Sequence, residues 1–200
     1  MKIAILLPYK ENFSKDSAGA VSIFVNDTNR LSKFKDNIKV FGSTTSKSIL
    51  KNYKNLDLKK NFLLSTSSQY LNIFTKLIQK EKIDILEIHN RPHYINSLHK
   101  VLNCKKILFF HNDPLKMQGS TSINDRINLL RKTDKIIFNS NWSKSRFLIG
   151  LTKNIDIKKI NVIHQSTSKT KIDFNKKEKI ISFIGKLNTS KGYDVFGKAI

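Results

Sequence analysis

Short apolar runs alternate along this chain with longer segments whose apolar residues return every three or four positions. Lys2–Leu7 is apolar after its first residue and has strand length. A run without polar alternation predicts a strand buried on both faces. Val21, Phe24, Val25, Thr28 and Leu31 then recur at helical spacing. Ile38–Phe41 reads as a second strand ended by Gly42, and Thr44–Lys60, polar and lysine-rich, reads as a loop or irregular excursion. Tyr70, Leu71, Phe74, Leu77 and Ile78 mark an amphipathic helix. Ile83–Ile88 is the next strand. Pro92 suits the first turn of a helix, and Tyr94, Ile95, Leu98, Val101 and Leu102 supply its apolar face. The alternation continues with a strand at Ile107–Phe110, a helix marked by Ile123, Ile127 and Leu130, and a strand at Lys135–Phe138. Asn139, Ser140 and Asn141 offer N-caps for a helix through Trp142–Leu151, and Asn161–Ile163 is a short strand.

Strands alternating with helices imply an α/β fold, a Rossmann-like parallel sheet with helices on both faces. The polar stretch Gln165–Lys177 lacks apolar periodicity and marks a boundary. The expected organisation is a first domain over 1–168, a linker over 169–178, and the start of a second Rossmann-like domain over 179–200.

Composition adds less than its extremes suggest. The 200 residues and 39% hydrophobic content suit a globular chain with a buried core. The net charge is +22, yet only five of the 37 cationic residues are arginine, and the charge is spread along the chain. Clustered arginine with interleaved aromatics, the usual footprint of a nucleic-acid binder, is missing. A basic surface leaning on anionic lipid headgroups suits the pattern better. Cys104 is the single cysteine, so no disulfide forms within the chain, as in a reducing cytosol. The apolar start is too short for a signal peptide, and no run reaches membrane-span length.

In open parallel sheets, ligands bind beyond the carboxyl ends of the strands, so the residues that follow each strand carry the candidate chemistry. After the first come Pro8 to Glu11 and then Gly19 and Ala20 at a helix start, small enough to let a ligand approach backbone N–H groups. The same residues also read as a plain loop with a helix-opening glycine. After Ile83–Ile88 come His89-Asn90-Arg91-Pro92-His93, either an acceptor-side cluster or a capped helix start with a solvated arginine. Pro92 breaks any continuous helix between His89 and His93, so their spacing fails as a zinc pair. After Ile107–Phe110 come His111-Asn112-Asp113-Pro114, a candidate site histidine or a turn beside a core histidine. Dinucleotide, Walker A and nucleophile-elbow motifs are missing, as is an Asp-x-Asp metal pair.

The last twenty residues sharpen the picture. Lys179–Gly185 is an apolar run of strand type, followed by Lys186-Leu187 and then Lys191-Gly192 before an amphipathic segment. A strand ending in glycine and cations just before a helix start suits a phosphate. This segment resembles the start of the second domain in retaining glycosyltransferases of the GT-B fold, family 4. There a strand leads into Gly-Arg-Leu, with Lys-Gly at this same spacing, and the Arg and Lys bind the diphosphate of a nucleotide-sugar donor. The resemblance puts Lys186 in the Arg place and Lys191 in the Lys place, with Gly185 and Gly192 beside them. Lys186 keeps the charge but loses the bidentate fork. The upstream chain is similar to that family's first domain. The resemblance implies that Gly19 and Ala20 border the donor phosphates, that His111 lies near the transferred sugar, and that Asn90, Arg91, Asn112 and Asp113 lie on the acceptor side. Ser140 resembles a family element in which a strand is followed by Ser; His164 and Gln165 depart from the family and receive no role.

The implied function is transfer of a sugar from a nucleotide-diphosphate sugar to a glycan or lipid-linked glycan with retention, in lipopolysaccharide or surface polysaccharide synthesis. No cofactor and no metal are expected. The implied location is the cytoplasm, with peripheral contact at the inner face of the membrane. The family's paired glutamates lie further along the second domain than Ile200, so residues 1–200 alone are expected to have little or no transferase activity. Two alternatives stand beside this: a non-catalytic basic module for membrane or nucleic acid, and another GT-B enzyme such as a sugar-nucleotide epimerase.

Overall fold

Parallel strands follow one another across a sheet because each apolar run is joined to the next by a helix that packs back onto it. The computed structural model describes residues 1–45, 52–58, 65–151, 155–166, 180–185, 187 and 189–200. Its strands are β1 (Ile3–Leu6), β2 (Ile38–Gly42), β3 (Tyr53–Asn55), β4 (Ile85–His89), β5 (Lys105–Phe110), β6 (Lys135–Phe138) and β7 (Ile160–Val162). All pair in parallel, in the order β3-β2-β1-β4-β5-β6-β7. The helices are α1 (Ala20–Leu31), α2 (Thr66–Ile78), α3 (Pro92–Leu98), α4 (Ile123–Lys132), α5 (Asn141–Leu148) and α6 (Tyr193–Ala199). The Rossmann-like α/β class expected from the pattern is the class observed. Among the described residues, no helix is long and apolar enough to cross a membrane.

Two apolar layers sandwich the sheet. Ala4 and Leu6 of β1 face a core shared with Tyr70 and Phe74 of α2, Tyr94 of α3, Leu129 of α4 and Phe147 of α5. Ile5 and Leu7 point the other way, against Phe13 and against Val21 and Val25 of α1. This period-2 alternation on a wholly apolar strand is why the run shows no polar positions. Phe110 and Phe138 stack with centroids 5.3 Å apart, and Phe147 of α5 closes on both. The Tyr70 hydroxyl donates to the Leu7 carbonyl at 2.8 Å, which ties α2 to the end of β1.

Two expectations need correction. The excursion at Thr44–Lys60 contains β3, which pairs Tyr53 with Val40 and extends the sheet by one short edge strand. Three residues are too few for a periodic signal; the strand forms because Leu56 buries fully and Tyr53 donates a hydrogen bond to Thr44 Oγ1. The run Lys179–Gly185, expected as a strand, is not one over its described part, 180–185. Apolar content alone does not make a strand, which needs a neighbour for its backbone groups.

The chain divides into two compact units, Met1–Gln165 and Ser166–Ile200. In the second, Phe183 and Phe196 rings meet at 5.5 Å, and Gly192 takes a left-handed conformation, φ +74°, ahead of α6.

Candidate functional site

Strand order reverses next to β1: the chain builds outward to β3, then returns to place β4 on the other side of β1. The loops leaving β1 and β4 therefore splay apart and open a crevice at the carboxyl edge. A cavity of about 570 Å³ lies there, a volume suited to a small-molecule or sugar ligand. Tyr9 and Lys10 line it from the β1 loop, Arg91 and His93 from the start of α3, and Lys116 from the loop after β5. Burial, reinforced by Arg91, holds the His93 imidazole below its ordinary pKa, so three cations and a neutral imidazole meet at the cavity. The four expected acceptor-side residues, Asn90, Arg91, Asn112 and Asp113, all line this same cavity. Asp113 is engaged there. Its carboxylate accepts from Arg146 Nε at 3.3 Å and Nη2 at 3.1 Å, and caps the turn at Leu115. The Arg146 hydrogen bond holds its carboxyl below the usual carboxylate range.

Asn90 is the hinge of the site. It has φ +51°, alone among non-glycine described residues in a left-handed conformation. That turn aims its Oδ1 at the His111 backbone N–H, which donates at 2.8 Å. Asn139 Nδ2 donates to the His111 carbonyl at 2.9 Å from the end of β6. Both backbone polar groups of His111 are thus held by asparagine side chains on the two neighbouring strands. Asn90→Ala is expected to cost about 2–3 kcal/mol, from left-handed strain and an orphaned N–H. Asn90→Asp, which keeps the acceptor and tolerates the conformation, is expected to cost least, with Asn90→Gly between them. Urea unfolding of the three variants checks the order.

Around the imidazole of His111 stand groups that the pattern of apolar residues did not single out. His111 Nε2 lies 2.8 Å from His89 Nδ1, and His89 Nε2 lies 2.7 Å from Glu87 Oε1. Gln165 Nε2 lies 2.9 Å from His111 Nδ1. His89 is fully buried and stacks on Phe109 at 4.9 Å. Phe24 of α1 meets the His111 ring edge-on at 5.1 Å. Burial and the adjacent His89 push the His111 pKa down to about 3, so the ring is neutral at pH 7. Glu87 and His89 stand two apart on one strand, hence on one face; that spacing was the available signal. Gln165 had none, because β7 brings it in from a distant part of the chain.

The expected phosphate cradle at α1 has an occupant. The Ser22 N–H donates to Glu11 Oε1 at 3.0 Å, and a Cβ added at Gly19 would collide with the Glu11 carboxylate. The carboxylate thus lies across the first turn, beside Gly19 and Ala20, where an anion would. In the second unit, a Cβ at Gly185 would lie 3.9 Å from Lys191 Cβ, so these two expected donor-side residues are neighbours. The Gly192 N–H donates to the Thr189 carbonyl at 3.0 Å. Lys186 lies outside the described residues. Burial raises the Cys104 thiol, which favours the inert form. Among the described residues, no group of three or more His, Cys, Asp or Glu is arranged to hold a metal ion.

Comparison with known proteins gives a fold. No family model and no curated protein sequence matches the chain. Among solved structures, it is similar to the lipopolysaccharide outer core galactosyltransferase WaaB in its apo form, with TM-score 0.57 and 14% identity over 84% of this chain and 46% of that one. It is similar to HepE from Anabaena, solved in complex with UDP and glucose, with TM-score 0.54 and 13% identity over 84% of this chain and 45% of that one. It is also similar to the UDP-N-acetylglucosamine 2-epimerase of Rickettsia bellii, with TM-score 0.51 and 9% identity over 81% and 44%. The chain spans about half the length of these three proteins. The shared feature is the GT-B type of Rossmann-like domain.

Proposed function

We propose that this chain is the acceptor-side part of a glycosyltransferase that moves a sugar from a nucleotide-diphosphate donor to a glycan or lipid-linked glycan. The observation that carries this reading is the cavity at the β1/β4 switch point, rimmed by Lys10, Arg91 and Lys116 and lined by Asn90, whose Oδ1 holds the His111 backbone N–H. A sugar acceptor offers hydroxyls to Asn90 and Asn112, and any phosphate or carboxylate it carries suits the cations. The fold likeness to a galactosyltransferase and to a protein solved with UDP and glucose supports the same class.

In this reading the barrier lies in the negative charge that grows on the leaving diphosphate. Lys186 and Lys191 of the second unit, next in sequence to Gly185 and Gly192, stabilise that charge. In the first unit, backbone N–H groups at Gly19 and Ala20 offer a place for an anion. No metal is called on. His111 orients the transferred sugar, and configuration is retained. The acceptor belongs to lipopolysaccharide or surface glycan synthesis at the inner face of a membrane, where the +22 charge favours anionic lipid. The decisive test supplies a panel of UDP-, GDP- and ADP-hexoses with a lipid-linked glycan acceptor. Acceptor-dependent formation of a glycoside with the donor's anomeric configuration supports the proposal. The fold likeness to a 2-epimerase favours a second reading; epimerised nucleotide sugar without any acceptor would establish it.

The Glu11 carboxylate competes for the α1 N-terminus. Glu11→Gln is expected to tighten binding of UDP by about 2- to 5-fold, since a charge at a helix end is worth about 0.3–1 kcal/mol. Calorimetric titration at low salt measures this. An unchanged affinity would separate α1 from the donor diphosphate.

A further inference from the structure

The hydrogen-bonded row Glu87–His89–His111–Gln165 has a direction. A carboxylate only accepts, so His89 Nε2, 2.7 Å from Glu87 Oε1, carries the proton. In a neutral His89 this leaves Nδ1 as a lone pair, which can only accept from His111 Nε2 at 2.8 Å. His111 Nε2 then holds its own ring proton, and Nδ1 becomes an acceptor. Gln165 Nε2, an amide donor, sits 2.9 Å from that Nδ1. The direction comes from the Glu87 end, and the Gln165 amide, which can present either its N–H or its carbonyl, is compatible with it. Full burial of His89 and its stack on Phe109 remove water as an alternative partner, and the stack fixes the ring plane. Gln165, by contrast, is exposed and is the last residue of the first unit.

We propose that Glu87 and His89 are positioning residues that lock His111 as the Nε2–H tautomer, presenting its Nδ1 lone pair to a ligand hydroxyl that takes the place of the Gln165 amide. His111 is thereby an acceptor, selective for a ligand group that donates, such as a sugar hydroxyl. It does not serve as a donor to a carbonyl or phosphate oxygen. An analogue with that hydroxyl methylated is refused, because the lone pair then faces no proton. The nature of the ligand rests on the glycosyltransferase reading; the tautomer lock rests on the geometry alone.

The test is long-range proton–nitrogen NMR of the full chain with ¹⁵N-labelled histidine at pH 7. The expected result is an unprotonated, imine-type resonance at His111 Nδ1 and a protonated one at Nε2. Glu87→Ala frees His89 and is expected to lose the single tautomer at His111. Glu87→Gln, whose side-chain carbonyl can still accept from His89, is expected to restore it. Gln165→Ala is expected to leave it unchanged, because the lock comes from Glu87. A protonated Nδ1 in the wild-type chain, or a Glu87→Ala spectrum identical to wild type, overturns the lock. UDP-glucose is then added as the probe. A shift of the His111 Nδ1 resonance that is larger in Gln165→Ala supports a hydroxyl in that place. A silent Nδ1 resonance with the tautomer intact, with UDP-, GDP- and ADP-glucose alike, overturns the ligand assignment and leaves the lock standing; the glycosyltransferase reading falls separately, on the turnover assay.

Discussion

Arg126→Met is expected to remove about 3–6 kcal/mol of unfolding free energy, since two charge-assisted hydrogen bonds are worth about 1.5–3 kcal/mol each. Arg126 is 3% exposed. Its Nη1 donates to the carbonyls of Phe147 at 2.5 Å and Ile149 at 2.7 Å, and its Nε to Ser122 at 3.2 Å. The first two carbonyls lie at the end of α5, where a cation also meets the negative helix end. Burial pulls the guanidinium below its usual pKa, yet no reachable pH discharges it. Methionine fills comparable volume and leaves those carbonyls without a donor. A domain of ordinary stability, about 5–15 kcal/mol, would lose a large share. Arg126→Lys keeps the charge but loses the Nε bond to the Ser122 carbonyl, and falls between. Urea denaturation reads the loss directly. A cost under about 1 kcal/mol would mean that water satisfies the carbonyls and that the α4–α5 contact is not held by this residue.

Acid is expected to have the second large effect. The His111 pKa is about 3 in the fold against 6.5 as a free side chain. Between those values the unfolded chain binds the extra proton and the folded chain does not. Stability from this group is therefore fully present above pH 6.5 and falls as pH drops from 6.5 toward 3, by up to about 1.4 kcal/mol per pH unit. The cause is local. His89 and, behind it, Glu87 face the ring from β4, Phe24 from α1, and Gln165 from the end of β7. A proton added to the ring would put a charge in a buried place, beside a second imidazole. Asp113 contributes separately: its carboxyl, held low by Arg146, loses its pairing only below its free value of 3.8. His111→Gln should therefore make the stability profile between pH 6.5 and 4.5 shallower, leaving the part due to His93, which burial also holds low, and the lower limb. Unfolding curves at pH 7, 5.5 and 4.5 for both proteins check this. Parallel profiles would place the acid sensitivity elsewhere.

The expected strand ends fall where the chemistry lies because β1, β5 and β6 close on apolar residues and β4 is apolar at Ile88, so the next polar residues mark the sheet's carboxyl edge. Asn90 and His111 were visible for that reason. Glu87 was passed over because it stands inside an apolar run, where its neighbours read as core. Arg126 was passed over because a lone arginine on an amphipathic helix normally points to water, and only the approach of α5 buries it.

The amino-acid sequence by itself determined the α/β class, most of the element boundaries and the polar residues at the sheet's carboxyl edge. These depend on periodicity and on local capping, which act within a few residues. The tertiary structure alone decided that β4 sits beside β1 and opens the crevice there, that β3 joins the edge, and that the apolar run before Gly185 is no strand. It alone brought Gln165 to His111 and the Glu11 carboxylate to α1. Those pairings depend on strand order and register between distant segments. No local pattern encodes which neighbour a side chain will meet.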